Sequence, residues 1–421
     1  MTNPEPVKTI TAINTANSGG GAEKVAFALC KELHLKGFKS CMLAFRIDRS
    51  ADPLVDTLVK SIPGPRFLYS AGNLMDDLFA TQYLFYAPSV VLPHLKLVGD
   101  ADVLHIHNAH GNYLSLFTLA SLMKKKPVVW TLHDMWSFTG KCVHSYDCEG
   151  FMHACGSCPQ LDAYPRLRRD TTAFHLRLKK RLYAGKRFVI VCPSQWLRSH
   201  VERSFLKDIP TVVIPSPVDT RTFFPVNKSA ARKKLGIPEK KKVLLFVASW
   251  VNSIQSKGVH IFKEMLTELS RKRSDIFTVI VGHLEGTSVL RDEHQGREPG
   301  WVSDPDAMRL WYSSADLFIS PTLAENSSCT IVEAMGCGTV PVAFAVGGVP
   351  EQVLDGQTGA LVPRGDTRGL LNAILALLGD DQTRTSYAEA AASRASSLYP
   401  MESFVRKYLQ AYETARENFK A

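Results

Sequence analysis

The 421 residues are 45% hydrophobic and 21% charged, with a mean hydropathy of −0.05. That apolar content excludes a disordered chain, and the length calls for two or three domains rather than one core. Fifty Lys and Arg against forty Asp and Glu give a formal charge of +10, which favours anionic partners: phosphorylated ligands, acidic lipid headgroups or nucleic acid.

No run approaches the roughly eighteen apolar residues of a membrane-spanning helix. The opening MTNPEPVKTITAIN lacks the basic-then-apolar order of a signal peptide. The expected location is therefore cytoplasmic. Cys30, Cys41, Cys192, Cys329 and Cys337 sit in apolar or helical contexts and read as small core residues.

Taken in chain order, short β-rich runs alternate with helix-period segments. KTITAINT (8–15) reads as a strand. A glycine loop and a helix from Glu23 to Lys36 follow, then strands at 40–45 and 101–108. A helix near 112–124 precedes strands at 127–133 and 187–194. Strand–helix–strand alternation predicts parallel pairing in a doubly wound α/β sheet. TVVIPSPVDTRTFFP (211–225), rich in proline and turn residues, reads as a junction. A second alternating set then begins. It has strands at 243–249, 277–282, 316–321, 339–344 and 359–363, and helices at 258–272, 305–315 and 327–338. An amphipathic helix at 399–419 closes the chain. The expected domains are 1–215, 216–398 and a terminal helix 399–421, with a cysteine-rich insert at 140–160. In open α/β sheets ligands bind beyond the carboxyl ends of the strands.

Three segments carry chemistry. NSGGGAEK (17–24) joins a strand to a helix. Gly20 and Gly21 let a backbone approach an anion at the helix start, or simply make a tight turn. It is not a dinucleotide fingerprint, because Lys24 stands where the third glycine belongs. SPTLAENSSCTIVEAMGCGTVPVAF (320–344) places Glu325 in a loop before a helix that Ser327 or Ser328 can cap. Free N–H groups there could hold a phosphate, and Glu333 could accept from a vicinal diol. The plainer reading is two acids near a helix start. Asp304-Pro305-Asp306 looks like a metal-binding D-x-D but reads as a helix cap.

The third segment is TLHDMWSFTGKCVHSYDCEGFMHACGSCPQL (131–161), with Cys142, Cys148, Cys155 and Cys158. Four thiols in a reducing compartment suit a closed structural zinc site. They could also be ordinary thiols, or hold a redox pair at Cys155 and Cys158. His144, Asp147 and His153 are substitute ligands. No open position remains for a catalytic metal.

Glu325, seven residues, Glu333, then Ala-Met-Gly-Cys-Gly and a Pro-Val strand resemble the donor-site signature of retaining glycosyltransferase family 4. Gly20–Glu23, DVLHIHN (102–108), TLHD (131–134), Lys257-Gly258 and GALVPRGD (359–366) match in the same order. The resemblance implies a GT-B fold, two Rossmann-like domains, and a retaining hexosyltransferase using a UDP- or GDP-linked sugar without a catalytic metal. It implies that Glu333 holds the ribose, Lys257 the diphosphate, and Glu325 the transferred sugar. His133 would sit beside the anomeric carbon, and Gly20 and Gly21 at the β-phosphate. Asn326, Ser327, Ser328, Cys329 and Thr330 would line the phosphate-binding helix start. The family's usual Arg in the loop before Lys257 is missing, and Ser249, Asn252 or Ser253 are expected in its place.

The cysteine segment itself resembles a subset of the family that builds bacterial exopolysaccharide and lipid-linked repeat units. The acceptor is accordingly expected to be a glycan or lipid-linked saccharide at the inner face of the membrane. The basic stretch 166–187, with nine Lys or Arg against one Asp, would touch anionic lipid. Competing expectations are a sucrose- or trehalose-type synthase, a nucleotide-sugar epimerase, an inactive nucleotide-sugar-binding module, and a zinc-bearing nucleic-acid-binding protein.

Overall fold

A computed structural model describes residues 6–248, 256–282, 288–290 and 294–420. The chain divides into two compact units, Met1–Ile214 with Val405–Ala421, and Pro215–Phe404.

The first unit is built on a seven-stranded sheet: β1 (Thr9–Ala16), β2 (Lys39–Arg46), β3 (Val59–Ser61), β4 (Val103–Ile106), β5 (Val128–Thr131), β6 (Phe188–Cys192) and β7 (Thr211–Val213). The order is β3-β2-β1-β4-β5-β6-β7, and every pairing is parallel. Helices cover both faces, which is why the strands read as near-continuous apolar runs. Ile13 and Leu43 point into one core with Leu104, Ile106 and Trp130. Their neighbours Ala12 and Met42 point into the opposite core with Phe27 and Cys30.

The second unit has six parallel strands: β8 (Lys242–Ala248), β9 (Ile276–Gly282), β10 (Gly296–Gly300), β11 (Leu317–Ser320), β12 (Val340–Phe344) and β13 (Ala360–Val362). Their order is β10-β9-β8-β11-β12-β13. One core, including Leu244, Phe262, Met265, Ile319 and Val342, unites its layers.

Strand order reverses between β1 and β4 in the first unit and between β8 and β11 in the second. Such reversals open a crevice at the carboxyl ends of the strands, so each unit carries its own ready-made ligand position.

Several elements differ from the sequence reading. The helix Arg66–Phe79, strand β3, strand β7 inside the expected junction, and strand β10 were not anticipated. The glycine-loop helix starts at Gly21 rather than Glu23. The D-x-D reading as a cap agrees with the structure: the Asp304 carboxylate accepts from the backbone N–H groups of Asp306 and Ala307.

Candidate functional site

In the first unit the candidate residues gather where β1, β4 and β5 end. Gly20 caps the helix Gly21–Leu35 with an extended backbone (φ −133°). A Cβ on Gly20 would lie 2.4 Å from Glu23 Oε2, so any side chain there would push the Glu23 carboxylate aside. Glu23 accepts from Asn108 Nδ2 at 3.0 Å, and from its own backbone N–H. Burial raises its pKa, opposed by that N–H, His110 and Asn108.

His133 follows β5 and is half-buried. Its Nε2 lies 3.0 Å from His107 Nδ1, and the two rings stack with centroids 5.3 Å apart. Burial pushes His133 down to about 4, against the pull of Asp134, and pushes His107 well below its ordinary value. Both imidazoles are therefore neutral at pH 7, able to donate or accept but not to carry charge.

Beneath them His105 is wedged into the core. Its Nδ1 meets Tyr412 Oη and its Nε2 meets Thr131 Oγ1, both at 2.8 Å, and Thr131 Oγ1 meets Tyr408 Oη at 2.8 Å. The terminal helix Met401–Lys420 thus braces β4 and β5. Asp134 turns the other way, 2.8 Å from the Trp136 N–H and 2.7 Å from His110 Nε2. Its burial is outweighed by these partners, and its pKa is lowered.

In the second unit the candidates flank the reversal between β8 and β11. Lys257 Nζ and Glu325 Oε2 form an ion pair at 2.6 Å. Two glycines hold their backbones in place. Gly258 has φ +71°, and a Cβ there would lie 1.9 Å from the Pro321 carbonyl oxygen. Gly347 has φ +54°, and a Cβ would lie 1.6 Å from the Glu325 carbonyl oxygen. No side chain fits either place.

The helix Cys329–Gly336 begins just beyond. Ser328 caps it by accepting from the Ile331 N–H, and Thr330 Oγ1 lies 3.0 Å from Ser328 Oγ. Gln352, which the sequence reading did not single out, straps this corner. Its Oε1 accepts from the Ser328 N–H, and its Nε2 donates to the Ser328 carbonyl and Ser327 Oγ. The Asn326 N–H donates to Glu325 Oε1. Glu333 Oε2 accepts from Tyr312 Oη at 2.8 Å. Tyr312 was also missed, because a buried aromatic on an amphipathic helix reads as core. Ser249, Asn252 and Ser253 lie outside the described residues.

The site residues named from sequence thus fall into two sets. Gly20, Gly21 and His133 belong to the first unit. Lys257, Glu325, Asn326, Ser327, Ser328, Cys329, Thr330 and Glu333 belong to the second.

Cys142, Cys148, Cys155 and Cys158 are all free thiols lining one small cavity. Burial pushes Cys142 up to about 12 and also raises Cys155. Such thiols are protonated at neutral pH and make poor nucleophiles. As they stand, no three or more His, Cys, Asp or Glu side chains among the described residues converge closely enough to hold a metal ion. The basic stretch 166–187 is not all surface: Lys179 is buried, its Nζ donating to the Trp136 and Thr139 carbonyls.

Residues 19–222 match the family model described as Glycosyltransferase Family 4, and residues 241–380 the one described as Glycosyl transferases group 1. A D-inositol 3-phosphate glycosyltransferase of Kribbella flavida is 28% identical over 222 residues, covering 50% of this chain and 52% of its own. The lipopolysaccharide core biosynthesis mannosyltransferase LpsB of Rhizobium meliloti is 28% identical over 220 residues, covering 49% and 62%. The chain spans about half the length of the first curated relatives it matches. The crystal structure of Anabaena HepE in complex with UDP-glucose superposes with a TM-score of 0.67 at 18% identity, covering 97% of this chain and 99% of that one. The fold is GT-B, two Rossmann-like parallel-sheet units.

Proposed function

The chain belongs to glycosyltransferase family 4, and from that premise we propose that it transfers a hexose, with retention, from a nucleotide sugar to a glycan or lipid-linked saccharide in bacterial polysaccharide assembly. The observation that carries this reading is the Lys257–Glu325 pair, 2.6 Å apart at the strand-order reversal and beside the capped start of the helix Cys329–Gly336.

Breaking the bond between a sugar and its nucleoside diphosphate builds negative charge on the leaving phosphate and positive charge on the sugar. A fixed ammonium and the positive end of a helix dipole stabilise the first. The Glu325 carboxylate is suited to sugar hydroxyls. Glu333, steadied by Tyr312, is suited to a ribose diol. Gly20 and Gly21 offer a backbone free of side chains to a phosphate. Neutral His133 offers a hydrogen bond to the sugar without competing for a proton. In a retaining displacement the departing phosphate oxygen takes the acceptor's proton, so no side-chain base is required.

A membrane-bound acceptor is supported by an apolar stripe on the first unit. Phe67, Ala71, Leu74 and Leu78 follow helical spacing along Arg66–Phe79, and Phe67 and Leu74 are 69% and 67% exposed. Exposed Arg168 bonds Asp77 on that helix, and exposed Arg169 bonds the Leu78 carbonyl. Apolar side chains beside arginines suit an anionic bilayer surface. The reading is tested by nucleotide release from a panel of UDP-, GDP- and ADP-sugars. One donor class should turn over, and Lys257→Ala should lower kcat by about 10²–10³. Absence of release and of thermal stabilisation with every nucleotide would overturn it.

A further inference from the structure

The segment between Thr139 and Thr171 has no strand and only a single 3-10 turn, Gly150–Met152. A stretch of that length without regular structure needs another source of order. Its four cysteines supply a candidate. All line the same cavity, whose free volume is ≈ 20 Å³, room for one ion or one water.

The backbone aims two turns at that cavity. Cys155, Gly156 and Ser157 take three successive left-handed conformations (φ 50°, 89° and 54°), winding C-G-S-C into a tight knuckle. The knuckle is fixed by the Cys155 N–H on the Gly150 carbonyl, the Gly156 N–H on Thr172 Oγ1 and the Cys158 N–H on Asp170. Two non-glycine residues at positive φ are uncommon and persist only where their surroundings hold them there. Cys148 comes from a separate turn, yet its sulfur and that of Cys155 lie 3.5 and 3.9 Å from the point a Gly150 Cβ would occupy.

The surroundings match the charge of a tetrathiolate centre. A divalent ion with four thiolates carries a net −2. Lys141, 0% exposed, lines the cavity and donates to the carbonyls of Gln160, Leu161 and Ala163. Lys179 is buried within electrostatic reach of Cys142 and Cys155. Gln160 Nε2 donates to Cys142 Sγ at 3.2 Å, the kind of contact that orients a metal-bound sulfur.

We propose that Cys142, Cys148, Cys155 and Cys158 bind one structural zinc ion as a closed tetrahedral site. The sulfurs line the cavity without converging, so binding turns their χ1 rotamers inward. Zn²⁺ replaces the four thiol protons, which leave to solvent, and no electron is transferred. Four sulfur ligands leave no open coordination position, so the ion anchors the segment that follows His133 and does no chemistry.

The test uses the full-length protein, reduced and stripped with a chelator, then titrated with Co²⁺ and afterwards Zn²⁺. The expected result is a thiolate-to-cobalt charge-transfer band with tetrahedral ligand-field absorption, saturating near one ion per chain and displaced by zinc. Cys142→Ser and Cys155→Ser should each weaken binding at least ~100-fold, beyond the usual loss of an outer contact. Cys41→Ser, outside the cluster, should bind normally. If the cluster variants do not fold, the wild-type titration still decides. The proposal falls if no cobalt–thiolate band forms. It also falls if the band survives unchanged in Cys142→Ser and Cys148→Ser, or if thiol counting without reductant finds the four cysteines paired as two disulfides.

Discussion

Replacing Tyr412 with Phe removes one oxygen and nothing else. That oxygen lies 2.8 Å from His105 Nδ1, and His105 is 1% exposed. No water can reach the orphaned nitrogen, so the substitution costs the desolvation of an unpaired polar atom, about 1–3 kcal/mol. At roughly 2–4 °C per kcal/mol for a unit of this size, the first unit should melt about 2–12 °C lower. Tyr408→Phe is the internal comparison. Its hydroxyl meets Thr131 Oγ1, which keeps its contact with His105 Nε2. It should therefore cost about 1 kcal/mol or less. Denaturant titration followed by tryptophan fluorescence, with calorimetry as a second probe, measures both. The argument is refuted if Tyr412→Phe costs under about 0.5 kcal/mol, or if the two variants are equivalent.

Acid should destabilise the fold before any carboxylate range is reached. His175 donates from Nδ1 to the Thr171 carbonyl and accepts the Gln82 N–H at Nε2, which only the neutral ring can do. Burial pushes it down to about 4, from an unfolded value near 6.5. Its stabilisation is complete above about pH 6.5 and lost as pH falls towards 4, amounting to about 2 kcal/mol by pH 5. A melting temperature unchanged between pH 7 and pH 5 would contradict this. For the membrane reading, Arg168→Ala with Arg169→Ala should weaken sedimentation with phosphatidylserine vesicles about 30-fold, at ~1 kcal/mol per charge. Leu74→Ser should weaken it independently. Equal binding to neutral and anionic vesicles would count against the proposed acceptor side.

What the sequence revealed and what it hid follow from the range of the interactions. Apolar runs such as VLLFVA and the glycine loop at 17–24 carry their signal locally, so the strands and their carboxyl ends were legible; the carbonyls that Gly258 and Gly347 must clear come from distant segments. The helix Arg66–Phe79 was not, because its apolar stripe faces outward and no neighbouring element explains it. Lys179 looked like one more surface charge in a basic stretch. Only folding shows the two carbonyls, forty residues or more upstream, that hold it inside. Tyr312, Gln352 and the His105–Tyr412 contact are likewise products of distant segments, the last spanning 307 positions. Candidate ligand-binding residues were readable from type and motif. The groups that steady them were not.

The ion pair at the second unit's strand-order reversal has one more consequence. Lys257 already has a carboxylate oxygen 2.6 Å away, so a small anion meets a neutral couple rather than a bare cation. Free phosphate or sulfate would have to displace Glu325 with nothing further to gain. A ligand that brings hydroxyls for the released carboxylate, along with its phosphates, satisfies both halves at once. Under the proposed function the pair would act as a filter, favouring a molecule that carries sugar and phosphate together over the free inorganic anions of a cell.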